Sequence, residues 1–192
     1  MSRDVYKCSK RGGKPSMRKE LRIAGSGGQG VILASIILTQ AIGIYEGKEV
    51  AQTQSYGPES RGGACRAELI ISDNKIDYMK VSKPDYFLVF NEVSFTKYKD
   101  DLYDGSYILI DKTYLKDLID DYKQVFKISA TELAEKKLKG FVANLIMLGA
   151  LAKTSDIVSY DSLKKAIKDV VSDEYTDINL EALELGYREV EK

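Results

Sequence analysis

From about residue 20 to residue 154, short runs of strand length alternate with longer stretches of helical pattern. The strand-like runs are Leu21–Ala24, Glu49–Gln54, Cys65–Ile71, Tyr86–Phe90, Tyr107–Ile110 and Val125–Ile128. Strands that alternate with helices predict a parallel sheet covered on both faces. The run Val31–Ile44 is apolar nearly all round, which predicts a buried helix too short to span a bilayer. Cys65–Ile71, the polar Ser72-Asp73-Asn74-Lys75 and Ile76–Tyr78 predict a β-hairpin, and with it an antiparallel element in the sheet. Ser129 and Glu132 form a capping-box pattern that opens a helix running to about Lys153. Gly140 and Gly149 inside that helix read as points of close packing, because glycine otherwise weakens a helix by roughly 1 kcal/mol. Amphipathic helices follow near Tyr160–Val171 and Asn179–Val190. The expected fold class is α/β: a mixed, mostly parallel sheet with helices on both faces and C-terminal helices.

Charge adds one feature to this picture. The net charge of the 192 residues is zero, yet residues 1–22 hold eight basic side chains against Asp4 and Glu20, a net of +6. Residues 1–16 read as a flexible basic leader, and residues 17–192 as one domain. A nucleic-acid-binding arm is the rival reading of the leader. The leader has no apolar core of a secretory signal, and no run of about 20 apolar residues offers a membrane span. A cytoplasmic protein is expected, with neither membrane nor nucleic acid as partner.

Several chemistries are excluded by what the chain lacks. It has no histidine, the commonest general base and metal ligand. Its two cysteines, Cys8 and Cys65, cannot supply the four ligands of an ordinary iron–sulfur cluster, and they form no disulfide framework. Redox chemistry, if present, belongs to a partner.

Two motifs remain as candidate chemistry. Gly25-Ser26-Gly27-Gly28-Gln29-Gly30 lies between a strand and a helix, where backbone N–H groups can approach a phosphate or carboxylate. It matches the dinucleotide fingerprint in its glycines. That fingerprint also needs an acid at the C-terminal end of the second strand, and Gln52, Thr53 and Gln54 stand there instead. A packing turn and a turn lining an interface remain open. The second motif is Tyr56-Gly57-Pro58-Glu59-Ser60-Arg61-Gly62-Gly63, in which a proline between glycines gives a defined loop presenting Arg61. A guanidinium suits bidentate contact with carboxylate or phosphate; pairing with Glu59 inside the loop is the alternative.

Together, "IAGSGGQGVILASIIL", "QTQSYGPESRGGACRAELIISDNKIDY" and "NLIMLGAL" strongly resemble the γ subunits of the 2-oxoacid:ferredoxin oxidoreductases, from about Met17 to the C-terminus. The form Q-T-Q-S-Y-G-P-E looks most like the 2-oxoglutarate branch. Pyruvate, branched-chain and indolepyruvate enzymes are alternatives, and a stand-alone dinucleotide-binding oxidoreductase is a more distant one. The resemblance implies a part-enzyme with α and β subunits and a δ subunit as partners, and with ferredoxin reached through the complex. It implies thiamine diphosphate, Mg, iron–sulfur clusters and coenzyme A for the complex, with no cofactor bound by this chain alone and no catalytic residue or metal ligand on it. The expected cofactor-facing residues are Gly25, Gly27, Gly28, Gln29 and Gly30 with Tyr56, Gly57, Pro58, Glu59, Ser60, Arg61, Gly62 and Gly63. Val31, Ile32, Tyr56 and Pro58 flank the motifs and are expected in an exposed apolar patch facing the partner subunits.

Overall fold

A computed structural model describes residues 17–55, 64–115, 122–138 and 140–191. Its strands are β1 (Arg18–Ser26), β2 (Glu49–Ser55), β3 (Ala64–Ser72), β4 (Tyr86–Val89), β5 (Tyr107–Asp111) and β6 (Gln124–Ile128). They form one sheet in the order β2-β3-β1-β4-β5-β6. The pairs β1–β4, β4–β5 and β5–β6 are parallel, and β3 runs antiparallel to both β1 and β2. The sheet is therefore mixed and mostly parallel. The helices are α1 (Val31–Gln40), α2 (Glu92–Tyr98), α3 (Ala130–Lys137), α4 (Ala143–Thr154), α5 (Tyr160–Val170) and α6 (Asp173–Glu189).

The period-two alternation of the strands separates two cores. Leu21, Ile23, Leu69, Ile71, Leu88 and Leu109 face a large core shared with α1, α3, α4, α5 and α6. Ala24, Phe87, Val89, Ile108 and Ile110 face a smaller core closed by Phe95 and Tyr98 of α2. Arg22 lies on that second face and is only 2% exposed. Its Nε bonds Glu68 at 2.7 Å, Nη1 bonds Asp101 at 2.5 Å, and the guanidinium lies 5.0 Å from the Tyr98 ring centroid.

Three expectations need correction. Ile76–Tyr78 forms no strand: the chain bends at Asp73-Asn74 and crosses the sheet face, where the Val81 carbonyl accepts from Arg22 Nη2 at 3.5 Å. The antiparallel partners of β3 are β1 and β2 instead. The helix opening near Ser129 does not reach Lys153, because α3 ends at Lys137 and a 3₁₀ turn, Gly140–Val142, precedes α4. Ser129 makes no side-chain cap either; Asp111, from the end of β5, accepts from both the backbone N–H and Oγ1 of Thr131. Third, the apolar run after the glycine turn is not buried all round. It continues past α1 as a π-helical turn, Ala41–Tyr45, and exposes Leu33, Ile36 and Ile44.

The close approach expected at Gly149 is present. An added Cβ there would lie 2.0 Å from the Leu183 carbonyl oxygen of α6, and one at Gly186 would lie 1.9 Å from that of Ile146. Helices α4 and α6 thus meet backbone to backbone.

Candidate functional site

The glycine turn sits where the sheet changes direction. From β1 the chain passes through α1 on one face towards β2; from the neighbouring parallel strand β4 it passes through α2 on the other face towards β5. The carboxyl ends of β1 and β4 therefore meet at a topological switch point, the position where open α/β sheets commonly receive ligands.

The turn itself is tightly built. The Gln29 N–H bonds the Ser26 carbonyl at 3.2 Å, and the Gln29 side chain folds back to accept the Ser26 N–H at 2.7 Å. Gly28 and Gly30 hold φ of 93° and 73°, a region that side chains enter only with strain. Gly30 is doubly restricted, because a Cβ would lie 2.6 Å from the Asn144 amide. Gly25 is packed against Gln29 and Val31, whereas among the described residues nothing stands within 4 Å of a Cβ at Gly27 or Gly28. The face of the turn at these two residues is open.

At the N-terminus of α1 the N-cap Gly30 makes no side-chain cap bond, and the first turn of the helix carries no acid among the described residues. The partial positive charge of the helix start is therefore not offset by an acidic side chain of its own first turn. Two asparagines buttress the turn. Asn91 caps α2 and donates to Ser26 Oγ at 2.9 Å and Gln29 Oε1 at 2.7 Å. Asn144, fully buried at the start of α4, donates to the Gly30 carbonyl at 3.2 Å, and its Oδ1 has no partner among the described residues. Neither was singled out from the sequence. Asn91 carried a weak signal as a capping residue before Glu92, whereas Asn144, inside an apolar run, carried none.

Tyr56, Gly57, Pro58, Glu59, Ser60, Arg61, Gly62 and Gly63 lie outside the described residues. The strands on either side end at Ser55 and begin at Ala64, and Ala64 is the register partner of Ser26. Of the residues expected in an apolar patch, Val31 is instead buried, because the first residue of α1 packs into the large core; Ile32 is partly buried. Leu33 and Ile36, at 36% and 39% exposure, are the apolar side chains that α1 presents.

A dinucleotide site fits this arrangement poorly. β3 stands between β1 and β2, so the end of β2 is a strand further from the turn than in the dinucleotide fold. Gln52, at the position in question, is tied to α1 by bonds with Ser35 and Thr39. Among the described residues no three of Asp, Glu, His and Cys are placed to hold a metal ion, and no helix is long and apolar enough to cross a membrane.

The sequence model of the family "Pyruvate ferredoxin/flavodoxin oxidoreductase" matches residues 20–189. The 2-oxoglutarate synthase subunit KorC of Methanocaldococcus jannaschii is 45% identical over 89% of this chain and 93% of its own. The chain is a γ subunit of the 2-oxoacid:ferredoxin oxidoreductase family. A solved γ subunit of a keto/oxoacid ferredoxin oxidoreductase from Geobacter sulfurreducens shares 34% identity, with a TM-score of 0.82 over 90% of this chain and 96% of that one. The pyruvate synthase subunit PorC of Methanothermobacter thermautotrophicus is 33% identical over 90% of this chain and 96% of its own. Relatives within the family are subunits of oxidoreductase complexes, which suits a γ-type chain whose own sequence lacks histidine.

Proposed function

We propose that this γ subunit serves a complex converting 2-oxoglutarate, coenzyme A and oxidised ferredoxin to succinyl-CoA, carbon dioxide and reduced ferredoxin. The observation that carries the substrate assignment is the difference in relatedness: 45% identity to a subunit named for 2-oxoglutarate against 33% to one named for pyruvate. In this reading the glycine turn and Tyr56–Gly63 face partner α and β subunits beside the thiamine diphosphate and coenzyme A region. The open face at Gly27 and Gly28 and the uncapped start of α1 suit an anionic group of coenzyme A. Arg61 supplies a cation. In this reading thiamine diphosphate, Mg and the iron–sulfur clusters belong to the α, β and δ subunits; for the clusters, the two cysteines here fall short of the four ligands needed. The whole assembly works in the cytoplasm.

The test is to purify the assembled complex and measure coenzyme A-dependent reduction of ferredoxin with a panel of 2-oxoacids. The expected outcome is the highest kcat/KM with 2-oxoglutarate, and no activity from this chain alone. A preference for pyruvate or a branched-chain 2-oxoacid would overturn the substrate assignment. Turnover by the isolated chain would overturn its accessory role.

A further inference from the structure

Both ends of the Asn91 amide are engaged. Its Oδ1 accepts the N–H of Ser94 at 2.9 Å, capping α2, and its Nδ2 donates at once to Ser26 Oγ and Gln29 Oε1. Gln29 Oε1 also accepts the Ser26 N–H at 2.7 Å, so one oxygen gathers two bonds. Gln29 precedes Gly30, the capping residue of α1, and Gly30 has no side chain with which to cap. A Gln29 side chain released from Asn91 could swing towards the free N–H groups of α1 and compete there with an anion.

We infer that Asn91 is a positioning residue of the glycine turn: it holds the Gln29 side chain back against Ser26 and so keeps the start of α1 uncapped and open to an anionic ligand. This rests on the reading of the turn given under Proposed function. The chemistry explains why the residue is asparagine. Aspartate would cap α2 equally well but has no N–H to donate, and serine would cap it but cannot reach both Ser26 and Gln29.

Asn91→Ser and Asn91→Asp therefore separate the lock from the cap. In the assembled complex, amide hydrogen exchange of Ser26 and Gln29 should quicken about tenfold in both variants, while that of α2 stays as in the unaltered protein. The KM for coenzyme A should rise about tenfold, the change falling in KM rather than in kcat, and further in Asn91→Asp, whose charge repels an anion. Gln29→Ala, which leaves Asn91 and the α2 cap in place, should quicken exchange at Ser26 in the same way and provides the test if either Asn91 variant fails to assemble. Unchanged exchange at Ser26 and Gln29 would overturn the inference whatever the kinetics. Equal quickening throughout α2 and the turn would make Asn91 a helix cap only, and would overturn it too. Faster exchange at the turn with an unchanged KM for coenzyme A would leave the lock standing and overturn the placement of coenzyme A at the turn.

Discussion

Replacing Gly149 with alanine tests the α4–α6 contact directly. The new methyl would lie 2.0 Å from the Leu183 carbonyl oxygen and 2.8 Å from the Tyr187 nitrogen, both backbone atoms that no rotamer change can move. The helices must separate by more than about 1 Å, and a gap of that size forfeits roughly a quarter to a half of each dispersion contact across it. Overpacking of this kind costs about 1–3 kcal/mol, and a backbone-to-backbone clash belongs at the upper end. Alanine returns about 1 kcal/mol through its better helix propensity. The net expectation is a loss of about 2 kcal/mol, a fall in Tm of roughly 4–8 °C for a chain of this size. Gly186→Ala should behave alike, since its methyl meets the Ile146 carbonyl at 1.9 Å. Once α6 has moved, the second methyl has room, so the double variant should lose clearly less than the sum of the two. Urea denaturation of the four proteins measures this cycle. A Gly149→Ala protein more stable by about 1 kcal/mol, as at an exposed helix position, would refute the reasoning.

Three further outcomes are expected. Arg22→Ala strands Glu68, 8% exposed, without its partner at 2.7 Å, and should destabilise by about 3 kcal/mol in urea denaturation, the low end for a broken buried pair because Arg66 stands 4.0 Å away. Burial, and for Tyr86 also the bond to Asp156, push the Tyr86 and Tyr107 hydroxyls well above the usual 10.0, so both stay protonated in the fold at a pH where the unfolded chain ionises. Their contribution is complete below about pH 10 and is lost progressively as the pH rises beyond it; the urea midpoint should fall as the pH is raised from about 10 to 12, and less steeply in Tyr107→Phe. Arg61→Ala in the assembled complex should lose a charge-assisted bond of roughly 1.5–3 kcal/mol, a ten- to hundredfold rise in KM for coenzyme A or the 2-oxoacid, with Arg61→Lys recovering part of it; unchanged constants would make Arg61 a structural residue.

All six strands of the described sheet were legible: in β1, β3, β4 and β5 burial enforces an apolar run of strand length, while β2 and β6, half-buried at the two edges of the sheet, stood out mainly by their length and place in the alternation. Their order was not, because pairing is a long-range choice. Nothing local in Cys65–Ile71 says that it inserts between β1 and β2, and the polar Ser72–Lys75 stretch marks a real bend whose following segment is spent covering Arg22. The Ser129–Glu132 signature marked a true helix start, yet Asp111 reached it from the adjacent strand, a partner that no local pattern reveals. At the site, the glycines were legible because a helix entered from a turn with positive φ leaves little choice of residue. Val31 was misassigned because flanking a motif says nothing about which side of the helix faces the sheet. Asn91 and Asn144 escaped because a single asparagine has no period.

The bonds that hold the turn also set a schedule for its completion. Asn91 reaches Gln29 across 62 positions and Asn144 reaches Gly30 across 114. Contacts this distant form only after the intervening chain has closed into place. During synthesis Gly30 has left the ribosome long before Asn144 has been added, and the turn stays unbraced on the α4 side until then. The braced geometry of the turn is thus a late product of folding. A γ subunit cut short or arrested before α4 docks would lack it, so a partner that engages the braced turn distinguishes finished chains from unfinished ones as the complex is assembled.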